Sequence, residues 1–276
     1  MPGDSTFSKT KSNEVSLEQI LQSIMTAETY SKIEHPTPYI FTIKGGDKEI
    51  HYFGSPHVSD LQSPIFTDIE QACDRFSPDI VFVEGPDVFH KAKTATREEA
   101  IQKGGESGFT TQLAIEKGIK LHFPEPTNKA LYNYLLARGF SREQIFVWDF
   151  LRTLTQHNQH KYVELFLEKF KEVTNWEDFD YSLKHAMELC EQILGRPVDI
   201  ENEPNVTDFT DPIPWEDKRN IQTVLNRISE SSSVFRDRKI VSDIVEALKT
   251  HKRIFIVYGA SHAVMQEPAL RKLLEK

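Results

Sequence analysis

Ile80-Val-Phe-Val-Glu84, preceded by Pro78 and followed by Gly85-Pro86, decides the fold. Four apolar residues in succession, without polar alternation, read as a strand buried on both faces, the place of an inner strand in a parallel sheet. Upstream, Ile65 to Phe76 carries apolar residues at helical spacing. Before that lies a hairpin signal: Tyr39-Ile-Phe-Thr-Ile, then Gly45-Gly46-Asp47, then Glu49-Ile-His-Tyr-Phe-Gly54. Ser16 reads as an N-cap, with Glu18 and Gln19 in the first turn of a helix carrying Ile20, Leu21, Ile24 and Met25. Downstream, a helix over about 110–117 stops at Gly118 and feeds a strand, Ile119-Lys-Leu-His-Phe123, which Pro124 and Pro126 end. Residues from about 128 to 195 read as helices. A Pro/Asp/Asn-rich stretch from Pro197 to Pro214 leads to two more, about 216–229 and 234–250. Arg253-Ile-Phe-Ile-Val-Tyr258 reads as a last strand, followed by a turn and a helix to Leu274.

This alternation predicts an α/β fold with a mainly parallel (mixed) central sheet flanked by helices, and a helical insert forming a lid. Residues 1–14 are expected to be a disordered tail, and 15–276 a single α/β domain with 128–230 as its mostly helical cap. Cys73 and Cys190 lie in amphipathic helical segments without CxxC spacing and read as reduced core residues. A net charge of −9 with no basic block argues against nucleic acid or an anionic membrane as the main partner. No apolar stretch approaches the roughly 20 residues of a membrane span. The first residues lack a signal-peptide pattern, so the expected location is cytoplasmic. A homodimer is left open.

Four predicted strands end in polar residues: Gly54-Ser-Pro-His57, Glu84 before Gly85, Pro124-Glu125-Pro126, and Gly259-Ala-Ser-His262. In open parallel sheets, ligands bind outside the carboxyl ends of the strands. Two imidazoles and one or two carboxylates on such an edge match the donors a divalent metal needs. They also match a metal-free hydrolase with His57 as general base oriented by Glu84.

Gly54-Ser-Pro-His57, Val81-Phe-Val-Glu84 and Val257-Tyr-Gly-Ala-Ser-His262 resemble the paired Gly-x-x-His motifs and intervening glutamate of the Tiki/TraB superfamily. That group includes Tiki-type metalloproteases, TraB/PrgY pheromone-shutdown proteins, ChaN-like haem-uptake lipoproteins and, more distantly, erythromycin esterases. Gly105-Glu106 resembles the Gly-Ser-Glu helix of the TraB branch, and Arg236-Asp237 its Arg-Asp or Arg-Asn pair. The likeness covers roughly residues 39–126 and 230–274. It implies that His57, Glu84 and His262 form the reactive centre and hold a divalent metal of the manganese, cobalt or zinc class. Glu125 or Glu106 would be a second carboxylate, and Arg236 would orient a carboxylate or an oxyanion. Val83-Glu84-Gly85-Pro86 departs from the Glu-Leu-Asp typical of several branches.

The expectation is therefore a hydrolase acting on an amide, peptide or ester bond of a small-molecule or peptide substrate. The alternatives are a metal-free esterase and a non-catalytic binder of the ChaN or pheromone-shutdown kind, holding a ligand or haem with the same histidines. Blander readings cover the rest. His157 and His160 sit on a solvated face, and Ser55 or Ser59 lacks a nucleophile elbow. The acidic run from Asp199 to Asp211 lacks EF-hand spacing. Phe146, Trp148, Phe150, Phe166 and Phe170 read as helical core, His51 and His122 as buried hydrogen-bonded residues, and Asp237 as a partner of Arg238 or a helix cap.

Overall fold

The computed structural model describes residues 15–85, 96–157, 161–199, 211–212 and 223–275. Residues 1–14, His160 and the acidic run over 200–210 lie outside them, as does most of the helix expected from 216; of His157 only the backbone is described. The element order is α1 (Leu17–Leu21), α2 (Ala27–Tyr30), β1 (Tyr39–Gly45), β2 (Lys48–Ser55), α3 (Ile65–Phe76), β3 (Ile80–Val83), α4 (Arg97–Glu116), β4 (Lys120–His122), α5 (Asn128–Ala137), α6 (Arg142–His157), α7 (Lys161–Thr174), α8 (Leu183–Leu194), α9 (Val224–Ala247), β5 (Arg253–Gly259) and α10 (Ala260–Leu274).

The sheet order is β1-β2-β5-β3-β4. Only the hairpin pair β1/β2 is antiparallel; β2/β5, β5/β3 and β3/β4 are parallel. The protein is thus an α/β fold with a mostly parallel mixed sheet, and β3 is the fully buried inner strand that its unbroken apolar run predicts. Side-chain alternation along β5 feeds two cores. Ile254, Ile256 and Tyr258 face α9, α10 and α1; Phe255 and Val257 face α3 and α4. A third apolar cluster holds the helices after β4 together, with Phe146, Trp148, Phe150, Phe166 and Phe170 all buried in it. Cys73 and Cys190 are free and buried. Among the described residues no helix is long and apolar enough to cross a membrane.

Helix α9 corrects the sequence reading. The two helices expected at about 216–229 and 234–250 are, where described, one continuous helix from Val224. The serines at 229 and 231–233 lie inside it, although serine hydroxyls compete for backbone partners. Instead Ser229 and Ser232 are buried, and the Trp148 indole of α6 donates to Ser229 Oγ at 2.7 Å. Small side chains let the helix run close past α6. At about 1.5 Å per residue it spans some 36 Å. Leu225 and Ile228 bury into the helical cluster and Ile240, Val241 and Ile244 into the sheet's, with Arg236 and Asp237 in between.

Smaller corrections follow the same lines. Helix α1 is a single capped turn, Ser16 exchanging hydrogen bonds with Gln19, and Ile24 and Met25 lie beyond it. Helix α4 begins at Arg97, well before residue 110. Strand β5 passes directly into α10, without the expected turn.

Candidate functional site

Because β2, β5, β3 and β4 are parallel, their carboxyl ends share one rim. His57 lies two residues past β2, Glu84 immediately past β3, Glu125 three residues past β4, and His262 in the first turn of α10 directly after β5. The two imidazoles flank one carboxylate. His57 Nε2 stands 4.0 Å from Glu84 Oε2, and His262 Nε2 stands 3.9 Å from Glu84 Oε1. Both distances exceed a direct hydrogen bond.

Backbone geometry sets this up. Gly259 donates its N–H to Glu84 Oε2 at 2.7 Å. Its lack of a side chain matters, because a Cβ there would stand 2.5 Å from His57 Nε2. His57 itself has φ +63°, a left-handed conformation that costs a non-glycine residue energy unless its surroundings hold it. The next residue supplies the hold: Val58 N–H donates to the buried carboxylate of Glu106 at 2.7 Å. Gly105 makes room for that contact, with φ +52° and a position where a Cβ would stand 2.7 Å from Val58 O. Gly105→Ala is therefore expected to cost about 1–3 kcal/mol of stability and to displace His57. Chemical denaturation and the histidine ring signals check this; a variant with the parent's midpoint and unmoved His57 resonances would remove Gly105 from the account.

Arg236, from the middle of α9, closes the rim on the other side. Its Nε and Nη2 grip Glu125 at 2.9 and 2.7 Å, and Nη2 also reaches Glu84 Oε1 at 3.3 Å. Burial works against the Arg236 charge, but Glu125, Glu84 and Asp237 raise its proton affinity above the ordinary value. For Glu84, burial pushes the pKa up, yet His262, Arg236, His57 and the Gly259 N–H together hold the carboxyl below its usual range. Burial likewise opposes a charge on His262, and Asp237, whose Oδ1 is 2.7 Å from Nδ1, turns the balance, so the imidazole pKa is raised. His57, by contrast, leaves 64% of its side chain exposed. Behind the rim, Arg152 lies over the Trp148 ring, where burial and then Arg236 hold its proton affinity below the ordinary value against the pull of Asp149 and Glu125.

The rim therefore gathers His57, Glu84, His262, Glu125 and Arg236. Glu106 stands behind them, buried, with its Oε1 taken by the Val58 amide. Both Glu125 oxygens are likewise taken, by Arg236. Asp237 corrects the sequence reading, since it neither caps a helix nor serves Arg238, which pairs with Glu18. It is fully buried and bound to His262 and Gln266. Its position next to Arg236, 25 residues before His262, was the available signal. His51 is hydrogen-bonded to Thr42 and His122 to Asp243, but both are half-buried rather than buried.

Fold and rim together define the class: an α/β protein whose parallel strands deliver two imidazoles and a charge-matched carboxylate to one edge. No protein-family model matches the chain, and no characterised protein or solved structure does.

A divalent cation can be weighed on the donor set. Imidazole nitrogen and carboxylate oxygen suit manganese, cobalt or zinc, and a carboxylate behind one imidazole, as Asp237 stands behind His262, is a common outer-shell arrangement. Glu84 and Glu125 pair with Arg236, Asp237 with His262, and Arg152 lies within electrostatic reach of Glu125 and Arg236. As the side chains stand, no group of three His, Cys, Asp or Glu among the described residues is close enough to hold an ion, so binding would draw His57 and His262 inward.

Proposed function

We propose that the chain is a hydrolase of the Tiki/TraB type, cleaving an amide, peptide or ester bond of a small-molecule or peptide substrate in the cytoplasm. One observation carries the reading: two imidazole Nε2 atoms flank a single ionised carboxylate at 4.0 and 3.9 Å, at the rim where parallel sheets bind ligands. Atoms about 4 Å apart are too distant to bond directly, but one water at about 2.8 Å from each can bridge them.

In this reading His57, the exposed imidazole, takes the proton of the attacking water. Glu84 stabilises the imidazolium that results and is itself kept ionised by Arg236 and the Gly259 N–H. His262 forms the inner wall, fixed by Asp237. Held by His57, Glu84 and His262, a manganese, cobalt or zinc ion would supply Lewis-acid polarisation of the scissile carbonyl and a lower proton affinity for water.

Two observations favour the metal-free form: the Arg236 guanidinium 3.3 Å from Glu84, and the engagement of both Glu125 oxygens by the same guanidinium. The combination of imidazole nitrogen and carboxylate oxygen favours the metal form. Full-length protein purified without a His tag, assayed for metal and tested on chromogenic esters and aminoacyl anilides, separates them. Turnover abolished by His57→Ala and by His262→Ala is the expected result. Loss on chelation with recovery on adding manganese, cobalt or zinc assigns the metal form, and indifference to chelator the metal-free form. Turnover unaffected by either alanine sinks the hydrolase reading.

A further inference from the structure

Asp237 is an acceptor-only residue at the junction of a buried chain of hydrogen bonds. Its Oδ1 lies 2.7 Å from His262 Nδ1 and accepts from Gln266 Nε2 at 2.7 Å. The same Gln266 amide accepts, through Oε1, the hydroxyl proton of Tyr52 at 3.1 Å. Tyr52, Gln266 and Asp237 are all inaccessible to solvent.

The direction of every bond follows from the carboxylate. An ionised Asp237 can only accept, so the Gln266 amide must turn its NH2 toward it and its carbonyl toward Tyr52. Tyr52 must then donate. By the same logic His262 must donate from Nδ1. Its other nitrogen has no competing demand, because Glu84 Oε1 at 3.9 Å is beyond hydrogen-bond reach. Tyr258 stands edge-on to the ring at 5.8 Å between centroids.

We propose that Asp237 is a positioning residue that polarises this chain in one direction, obliging His262 to carry its proton on Nδ1 and to present a bare Nε2 to the rim. The inference rests on the rim being the reaction centre for its importance, but not for its truth. A bare Nε2 is what either form of the hydrolase needs, as a hydrogen-bond acceptor for water or as a metal donor.

Replacing the carboxylate with an amide tests the polarity. In Asp237→Asn the second oxygen becomes an NH2. Left in place, that group occupies the Oδ2 position, which is buried and has no hydrogen-bond partner. Turned over, it donates to His262 Nδ1, and Gln266 can follow by offering its carbonyl to the amide and its NH2 to the Tyr52 oxygen. The turned arrangement seats both protons of the new amide on acceptors and moves the His262 proton to Nε2, while the new carbonyl takes the unpartnered Oδ2 position and the Tyr52 proton gives up Gln266 Oε1.

The experiment is a long-range 1H–15N correlation spectrum of the chelator-treated full chain at a pH where the ring is neutral, with His262 assigned by its loss in His262→Gln. The parent should show the Nδ1–H pattern, and Asp237→Asn the Nε2–H pattern with turnover lowered about 100-fold or more. A parent ring protonated on Nε2 overturns the proposal, and so does an Asn variant that keeps Nδ1–H. If the variant does not fold, the parent spectrum decides alone. Because the readout is a tautomer, failure of the hydrolase reading leaves it standing, and its own failure leaves the turnover tests intact.

Discussion

Arg236→Leu should lower the stability of the protein by about 3–5 kcal/mol, the range found when one partner of a buried ion pair is removed. Arg236 leaves only 18% of its side chain exposed and is the guanidinium that binds Glu84 and Glu125, which are themselves 18% and 16% exposed. Leucine fills much of the space but leaves two carboxylates facing each other in a poorly solvated cleft. Urea unfolding at neutral pH measures the loss. The cause is isolated by adding Glu84→Gln and Glu125→Gln to the leucine variant, which should recover a large part of it, because the destabilisation comes from uncompensated charge. A leucine variant within about 1 kcal/mol of the parent would show that Glu84 and Glu125 are solvated well enough to need no partner.

Glu84→Gln should do the reverse, sparing the fold and removing the chemistry. The amide carbonyl can still accept from the Gly259 N–H, and Arg236 keeps its two-pronged grip on Glu125, so the unfolding midpoint should move little. What disappears is the negative charge between the two imidazoles. On any substrate whose turnover depends on His57 and His262, kcat/KM should fall about 1000-fold, equivalent to about 4 kcal/mol of transition-state stabilisation. Retention of activity within tenfold of the parent would mean that Glu84 only shapes the rim.

Much of this architecture can be read without coordinates, and the reasons are specific. The run Ile80 to Val83 announces an inner strand because no polar residue interrupts it, and Gly45-Gly46-Asp47 announces the hairpin through its turn chemistry. Once the strands are parallel, residues directly after them must share an edge, which is why His57, Glu84, Glu125 and His262 could be grouped from sequence order alone. Side-chain partners were the illegible part. Nothing local to Glu106 says that its carboxylate turns away to the Val58 amide, because that contact depends on a left-handed glycine and a separation of 48 residues. Asp237 was misread for a related reason: its partner His262 lies 25 residues on, across a strand, and only the path of α9 over the rim brings them together. The serines before it hid that path, since their burial against Trp148 is a tertiary effect overriding helix propensity.

The junction of β5 with α10 gives the site a built-in asymmetry. His262 is the third residue of a helix that starts where the strand stops, with no intervening residues to absorb a shift. His57 hangs from a more exposed segment, held through its neighbour Val58 by the Glu106 carboxylate and by packing on the core. One wall of the cleft is therefore an anvil and the other a hinged jaw. Accommodation to ligands of different bulk falls to the jaw, and the tuning of reach and selectivity falls to the short stretch around His57 and to the Gly105-Glu106 latch.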